Sequence, residues 1–594
     1  MLTGLAYFAA NNKLFLGNFY RKAKRSIEKP RTEGPAAYVF PADDPRPGAQ
    51  ADLLRLLQEQ GCEISRATQA FTVAMPAKRV KHERRDEPAK PQEPTKPEPR
   101  TFAAGSYLVR MDQPYSRIAD ALLDYQYWAA NDPQKSIYDD TGWTFGELNN
   151  VQVARVTDLK ALDAPMNAVA GRVQAPGSVE GAGSVFLIDH NADNALITLR
   201  YRFPSAQFDA AEEPFEAAGR KFKRGAFVVR GVSLDELRRA TTELGLTAYA
   251  VSAAPAVKTH PLRAARIALL HTWLSTQTEG WWRLEFDRLA VPYRYISTQT
   301  VSADGDLRSK YDVIVFPPGG RGNPQAIVNG LPMYGNPLPW KVTPETPNLA
   351  HTDETDDIRP GLGWMGLEHL REFVAKGGLL IAAGDTANFA VTFGFTPGVT
   401  LAPSQRLKVT GSALRSRLVD AESPIAYGIG DSLAIFASNP PVFGLTNLVG
   451  GGGRRSPEDR ERPTGRGTAE DPDLPQGRTP VEIPEEPHAE AWEPMPLTGE
   501  QMRNPISVIP PALRPRVVLR YAKKDELLVS GLLDQGGELA EHAALIDSPY
   551  GEGHIVLFSN NPFWRGETKG SYFLVFNAIL NFDNLSAGRK LAEK

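Results

Sequence analysis

Two short apolar runs that stop at glycines constrain this chain most: Tyr311-Asp-Val-Ile-Val-Phe-Pro-Pro-Gly-Gly320 and Gly377-Gly-Leu-Leu-Ile-Ala-Ala-Gly-Asp385. Unbroken apolar runs bounded by turn residues are the pattern of strands buried on both faces, and such strands belong to parallel sheets covered by helices. A helix-like stretch from Gly366 to Lys376 leads into the second run. In sheets of this kind the ligand crevice lies outside the carboxyl ends of the strands. Here those ends carry Gly319, Gly320 and Asp385-Thr386, with neither a cysteine nor a serine set between glycines. The pattern therefore predicts the scaffold of a site without its expected nucleophile.

The rest of the chain reads as further α/β units. With 594 residues it has room for roughly three or four domains. Residues 1–29 predict a helix, with Leu5, Phe8, Leu14, Phe15 and Phe19 at near-helical spacing and no partner surface in the sequence. Residues 35–130 predict a small α/β domain interrupted by a charged, proline-rich insertion at 78–100. Residues 131–255 predict a second such domain, with strands at Ser184–Ile188 and Ala195–Tyr201 and a helix at Leu234–Leu244. Gly105-Ser-Tyr-Leu-Val-Arg110 and Gly225-Ala-Phe-Val-Val-Arg230, each followed by a helix, resemble one another and hint at duplication. Residues 262–449 with 505–583 alternate β and α and predict a doubly wound, flavodoxin-like domain. Its long Pro317–Pro360 stretch reads as a surface excursion, and the Gly-, Pro- and charge-rich 450–504 reads as a disordered linker.

Composition removes several classes of function. The formal net charge of −3 gives no basis for a nucleic-acid partner. No run of about 18 apolar residues predicts a membrane span. The single cysteine, Cys62, rules out an internal disulfide and any multi-cysteine zinc site, and its setting after Gly61 reads as a small buried hydrophobe. Two His-x-x-Glu spacings, His351/Glu354 and His369/Glu372, match half of a zinc-peptidase ligand set, but one lies in the excursion and the other has ordinary helix-surface spacing. No phosphate-binding loop or Gly-x-Ser-x-Gly elbow occurs, so no catalytic residue, metal ligand or cofactor is assigned within the chain. The candidate pocket residues are His271 at the end of the first core strand, Trp281, Trp282 and Arg283 on the helix that follows, Gly319, Gly320 and Asp385 at later strand ends, and Arg565 before the last helix. The tryptophans and arginines suit a carboxylate or a sugar, and they suit domain packing equally well.

Asn11-Asn-Lys-Leu-Phe-Leu-Gly-Asn-Phe-Tyr-Arg-Lys-Ala-Lys-Arg-Ser-Ile-Glu28, Tyr107-Leu-Val-Arg-Met-Asp-Gln-Pro-Tyr-Ser-Arg117 and Ser136-Ile-Tyr-Asp-Asp-Thr-Gly-Trp-Thr144 resemble the part that follows the catalytic domain in large bacterial zinc carboxypeptidase-like proteins. Residues 266–388 with 551–580 are similar to the class I glutamine amidotransferase-like domain that ends those proteins. The resemblance implies a parent that hydrolyses peptide bonds through a zinc-bound water and is exported. It implies zinc only in an N-terminal catalytic domain preceding this chain, which would be the chain's partner. No position here matches the family's metal ligands or general base, and no secretory signal opens the sequence. The resemblance thus implies a supporting or substrate-binding region, with peptide or cell-wall material as the substrate. An independent hydrolase and a saccharide- or peptidoglycan-binding module are the alternatives.

Overall fold

The computed structural model describes residues 1–75, 97–129, 137–138, 140–320, 322–449, 490–497, 501, 503 and 505–590. It is a mixed α/β, multidomain chain built around three main sheets.

The first sheet contains β1 (Ala37–Phe40), β2 (Ser65–Ala67), β5 (Tyr107–Arg110), β6 (Ala154–Val156) and β7 (Met166–Ala168), in the order β6-β1-β5-β2-β7. Every pairing is antiparallel. The helices Pro47–Glu59 and Ser116–Leu123 connect β1 to β2 and follow β5, and the hairpin β3 (Phe71–Met75) with β4 (Glu98–Phe102) is inserted between β2 and β5. Because β6 and β7 return to this sheet, the first unit extends past the expected boundary at 130 to residue 168.

The second sheet contains β8 (Ser178–Gly181), β9 (Val185–Ile188), β10 (Gln207–Ala211), β13 (Phe227–Arg230), β14 (Thr247–Val251) and β15 (Thr259–Pro261). Its order is β14-β9-β13-β10-β15, with β8 added in parallel outside β14. This repeats the first sheet strand for strand. The hairpin β11 (Phe215–Ala217) with β12 (Arg220–Phe222) occupies the place of β3-β4. The hint of duplication in the two Val-Arg motifs is therefore a duplicated β-α-β-β-α-β unit, each copy with an inserted hairpin. Even the register agrees: Tyr107 faces Phe40 in the first copy, and Phe227 faces Ile188 in the second.

Local chemistry fixes the helices of these units. Ser233 accepts the Glu236 amide while the Glu236 carboxylate accepts the Ser233 amide, and Gly245 closes the helix Leu234–Leu244 at φ +69°. Such a reciprocal cap contributes about 1 kcal/mol. Ala195–Arg202, expected as a strand, is a helix. Its Leu196, Ile197, Leu199 and Arg200 are buried on one helix face, and the charged Arg200 among them breaks the apolar stripe that the sequence would otherwise show. Asp193 accepts the Ala195 amide at its start. The single helix expected over 1–29 is two, Leu2–Ala10 and Asn12–Glu28, divided at Asn11, whose side-chain amide donates to the Tyr7 carbonyl. Their apolar side chains, Leu16, Phe19 and Tyr20 among them, are exposed. Cys62 is buried in the first unit, and burial pushes its thiol up to about 11.

The third sheet is the core of the molecule. β16 (Ile267–His271), β17 (Arg294–Ser297), β18 (Val313–Phe316), β19 (Leu379–Ala383) and the strand Gly553–Phe558 run parallel in the order β17-β16-β18-β19-(553–558). In chain order that is 2-1-3-4-5, the flavodoxin-like arrangement. Antiparallel strands Ala543–Tyr550, Arg516–Tyr521, Ser412–Leu418 and Ser432–Ala437 extend the sheet. Successive core residues point to opposite faces, as the pleat requires. Leu269, Val315, Ile381 and Val556 pack with Trp282, Phe286 and the helix Tyr572–Leu580, while Leu270, Ile314, Leu380 and Leu557 pack with Leu370 and Phe373.

The second unit is fastened to the core by two buried histidines: His190 Nε2 lies 2.9 Å from Asn577 Oδ1, and His260 Nε2 lies 2.7 Å from Asn581 Oδ1. Burial pushes the His190 imidazole down to about 4.

Residues 78–96 of the expected insertion and most of 450–504 lie outside the described residues. Residues 98–100 are exposed and form part of β4 through their pairing with β3. Residues 490–497 are ordered, because Trp492 packs against the core and lies 6.0 Å beneath the Arg520 guanidinium.

Candidate functional site

Two places at the carboxyl ends of the parallel strands could carry chemistry. The first is the turn from β19 into the helix Asp385–Thr392. A nucleophile elbow places its reactive residue on a strained strand-to-helix turn. The strained residue here is Gly384, at φ +57° and ψ −119°, one position before the expected Asp385. It has no side chain, although a Cβ would meet nothing nearer than Pro318 at 3.4 Å. Asp385 is turned inward. Its carboxylate accepts the backbone amides of Gly319 at 3.0 Å, Gly320 at 2.9 Å and Gly322 at 3.0 Å. Thr386 is buried and donates to the Phe316 carbonyl at 2.6 Å while accepting the Ala383 amide. Gly319 in turn accepts the Thr272 hydroxyl at 2.6 Å, and a Cβ on Gly320 would collide with Ile327. The three candidates Gly319, Gly320 and Asp385 are thus brought together, and they bind each other.

The second place is a cavity of about 370 Å³ beside the ends of β16 and β17, lined by His271, Glu279, Arg283, Tyr295, Trp340 and Asp353 among others. His271 is buried at the tip of β16, with Nε2 2.7 Å from Asp353 Oδ2 and its ring stacked 4.2 Å from Tyr295. The Arg283 guanidinium lies 4.4 Å from the Tyr295 ring centre. The Tyr295 hydroxyl donates to Glu279 Oε1 at 2.6 Å. Burial raises the Glu279 carboxyl above the usual carboxylate range, partly offset by that hydrogen bond and by His271 and Arg283. Burial, reinforced by the Glu279 carboxylate, also raises the Tyr295 phenol.

Three buried atoms around this cavity have no hydrogen-bond partner: Glu279 Oε2, Trp273 Nε1 and Arg283 Nε. Buried polar atoms without partners are uncommon in folded chains, and each calls for a reason. Sequence reasoning named His271 and Arg283 but missed Trp273, Glu279, Tyr295, Trp340 and Asp353. The 317–360 excursion is not a free surface loop. A short helix, Pro324–Asn329, opens it, and the Trp340–Thr355 and Gly330–Pro360 bridges fold it back. The buried Arg359 ties it down through a bidentate pair with Asp357. Only that folding brings Trp340 and Asp353 to the strand ends.

The other candidates lie elsewhere. Trp282 is fully buried, donates to Asn561 at 3.1 Å and packs 4.6 Å from Phe563, so it is a core residue. Trp281 is half-buried and outside the cavity wall. Arg565 pairs with Asp140 at 3.3 Å and covers the Tyr138 and Trp564 rings. His351 lines the cavity rim, but its spacing partner Glu354 is exposed, and Asp353 is the carboxylate that faces His271. His369 accompanies the Val301 carbonyl at 2.9 Å, and Glu372 pairs with Lys376. Among the described residues, no group of three or more His, Cys, Asp or Glu side chains could hold a metal ion. No helix among them is long and apolar enough to cross a membrane.

No protein-family model matches this chain, and no curated protein matches it. Solved structures similar to it include a GMP synthase-like protein from Thermoplasma acidophilum, 8% identical, covering 53% of this chain and 94% of that one with a TM-score of 0.25. A ThuA-like protein from Bacteroides uniformis is 9% identical, with 55% and 94% covered and a TM-score of 0.26. A β-galactosidase from Bacillus circulans sp. alkalophilus is 12% identical, with 54% and 31% covered and a TM-score of 0.25. At these scores the likenesses assign no activity, and the flavodoxin-like arrangement stands on strand order alone.

Proposed function

We propose that this chain works by binding a small ligand in the His271–Glu279–Arg283 cavity and is not itself a nucleophilic catalyst. The observation that carries this reading is a cavity of about 370 Å³ at the strand ends, lined by His271, Arg283, Trp340 and Asp353, beside an elbow whose polar groups are taken up by the fold. The residue at the strained elbow, Gly384, offers no attacking atom.

The finer part of the proposal is the setting. The segments 11–28, 107–117 and 136–144 support an accessory, substrate-binding region of a zinc carboxypeptidase-like peptide hydrolase whose catalytic domain would be its partner. The core would then be its amidotransferase-like domain, lacking the side chain such an enzyme needs at Gly384. A second reading, hydrolysis within the cavity, is favoured by the 2.7 Å His271–Asp353 contact, which has the form of an oriented general base. Assays of the chain on a peptide, glutamine and a simple ester, with and without zinc, separate the two. The binding reading expects no turnover above buffer in any of them; turnover abolished by His271→Asn would replace it with the hydrolase.

A further inference from the structure

We propose that residues 1–28 dock the protein on the surface of an anionic lipid bilayer, an inference that does not draw on the cavity. The helix Leu2–Ala10 carries no charged side chain, and none of its residues is buried. Leu2, Leu5, Tyr7 and Phe8 are exposed, and at 3.6 residues per turn they point to different sides of the helix. A helix that is apolar all round belongs inside an apolar medium. Its nine residues reach about 14 Å, under half of a hydrocarbon layer of roughly 30 Å, so it seats in one leaflet and does not cross.

The helix Asn12–Glu28 is two-faced instead. Leu16, Phe19, Tyr20, Ala23 and Ile27 recur at helical spacing along one face, and Leu16, Phe19 and Tyr20 are 68%, 63% and 66% exposed. Lys13, Arg21, Lys24 and Arg25 occupy the flanks and the far side, and the one carboxylate, Glu28, pairs with Lys24. Bulky apolar residues on one face with lysine and arginine around the other are the pattern of a helix lying at the boundary of headgroups and acyl chains, where its cations meet lipid phosphates. The two helices join through Phe15, whose ring lies 4.1 Å from Phe8 and 6.0 Å from Tyr7. Only Ser26 of the second helix is buried, where the Ser116 hydroxyl donates to its carbonyl at 3.5 Å, so the rest of both helices stands clear of the first α/β unit.

Charge selects this occupant over a second copy of the chain. Two copies joined through these faces would set their basic flanks side by side, with a single acidic residue on each helix, already paired, to offset them. A groove on another protein would cover one face of Leu2–Ala10 and leave its other apolar sides in water.

The test is co-sedimentation of the full chain with vesicles of phosphatidylcholine alone and of equal parts phosphatidylcholine and phosphatidylglycerol, at low and at high salt. The inference expects binding to the mixed vesicles that is about tenfold or more tighter than to phosphatidylcholine alone and that falls as salt is raised. Phe8→Gln and Phe19→Gln together should weaken it about tenfold or more. Arg21→Gln and Arg25→Gln together should do the same and flatten the salt dependence. All four positions are exposed, so circular dichroism and melting temperature should match the parent. A chain that stays in the supernatant with both vesicles overturns the inference, and so does equal binding to both. A dimer in lipid-free sedimentation that the paired phenylalanine change dissolves overturns it in favour of a second copy. None of these results bears on ligand binding at the cavity.

Discussion

The elbow at Gly384 and the cavity beside Trp340 sit at strand ends of one sheet, with β18 between them, yet the polar groups at the two places are used differently. At the elbow the protein satisfies itself: Asp385 takes up three backbone amides and Thr386 two backbone groups. At the cavity Arg283, Asp353 and the partly exposed Trp340 line open space. A site whose polar groups are all spent on the fold has nothing left to offer a substrate. The place to look for function in this molecule is where the fold leaves its polar groups unspent.

Substitutions can break or sharpen that contrast. The largest effect is expected from Asp385→Ala, which strands three amides on the loop after β18; we expect a loss of about 3 kcal/mol in chemical denaturation, with ligand binding at the cavity retained. Gly384→Ala comes next. The added methyl group has space, so the cost is the backbone conformation, about 2 kcal/mol in the same measurement and again with no change in binding. Glu279→Gln should invert the pattern: stability at neutral pH within about 1 kcal/mol of the parent, and binding at the cavity weakened.

The pH dependence of that last pair is the finest test. Burial raises the Glu279 carboxyl, so the folded chain holds this proton to higher pH than the unfolded chain does. The protonated side chain's contribution is present at acid pH and is lost as pH rises through the raised value. The parent should therefore lose stability relative to Glu279→Gln as pH is taken from about 4 to 8, read as a widening difference in melting temperature. His190, depressed to about 4, acts in the opposite sense in both proteins: its neutral form favours the folded chain at neutral pH, and that contribution falls away as pH drops from about 6.5 toward 4. A further variant, His190→Gln, should flatten the acid side of either profile.

How much of this is legible in the sequence follows from where the information sits. β18, β19 and the helix Tyr572–Leu580 can be read directly, because each is a dense apolar run with clear stops. The duplication shows only through Tyr107–Arg110 and Phe227–Arg230, the central strands of the two units, since their edge strands carry no common signature. Ala195–Arg202 misleads because a charged residue, Arg200, sits on the buried face and so breaks the apolar stripe. The pattern puts the elbow one residue late, as nothing in a Gly-Asp pair tells which residue takes the strained conformation. Half of the cavity is beyond reach for a different reason. Glu279 and Arg283 stand one helical turn apart and can be paired by spacing. Trp340 and Asp353 lie in a proline- and glycine-rich stretch with no periodicity, and only tertiary folding returns them to His271.

The central claim can be tested most directly by recording amide and indole NMR spectra while the ligand that binds best is titrated in. The account predicts that the Trp340 indole N–H resonance moves saturably while the amides of Gly319, Gly320 and Gly322, already held by Asp385, stay in place. Movement of those glycine amides with a motionless Trp340 indole would contradict it and return the site to the elbow.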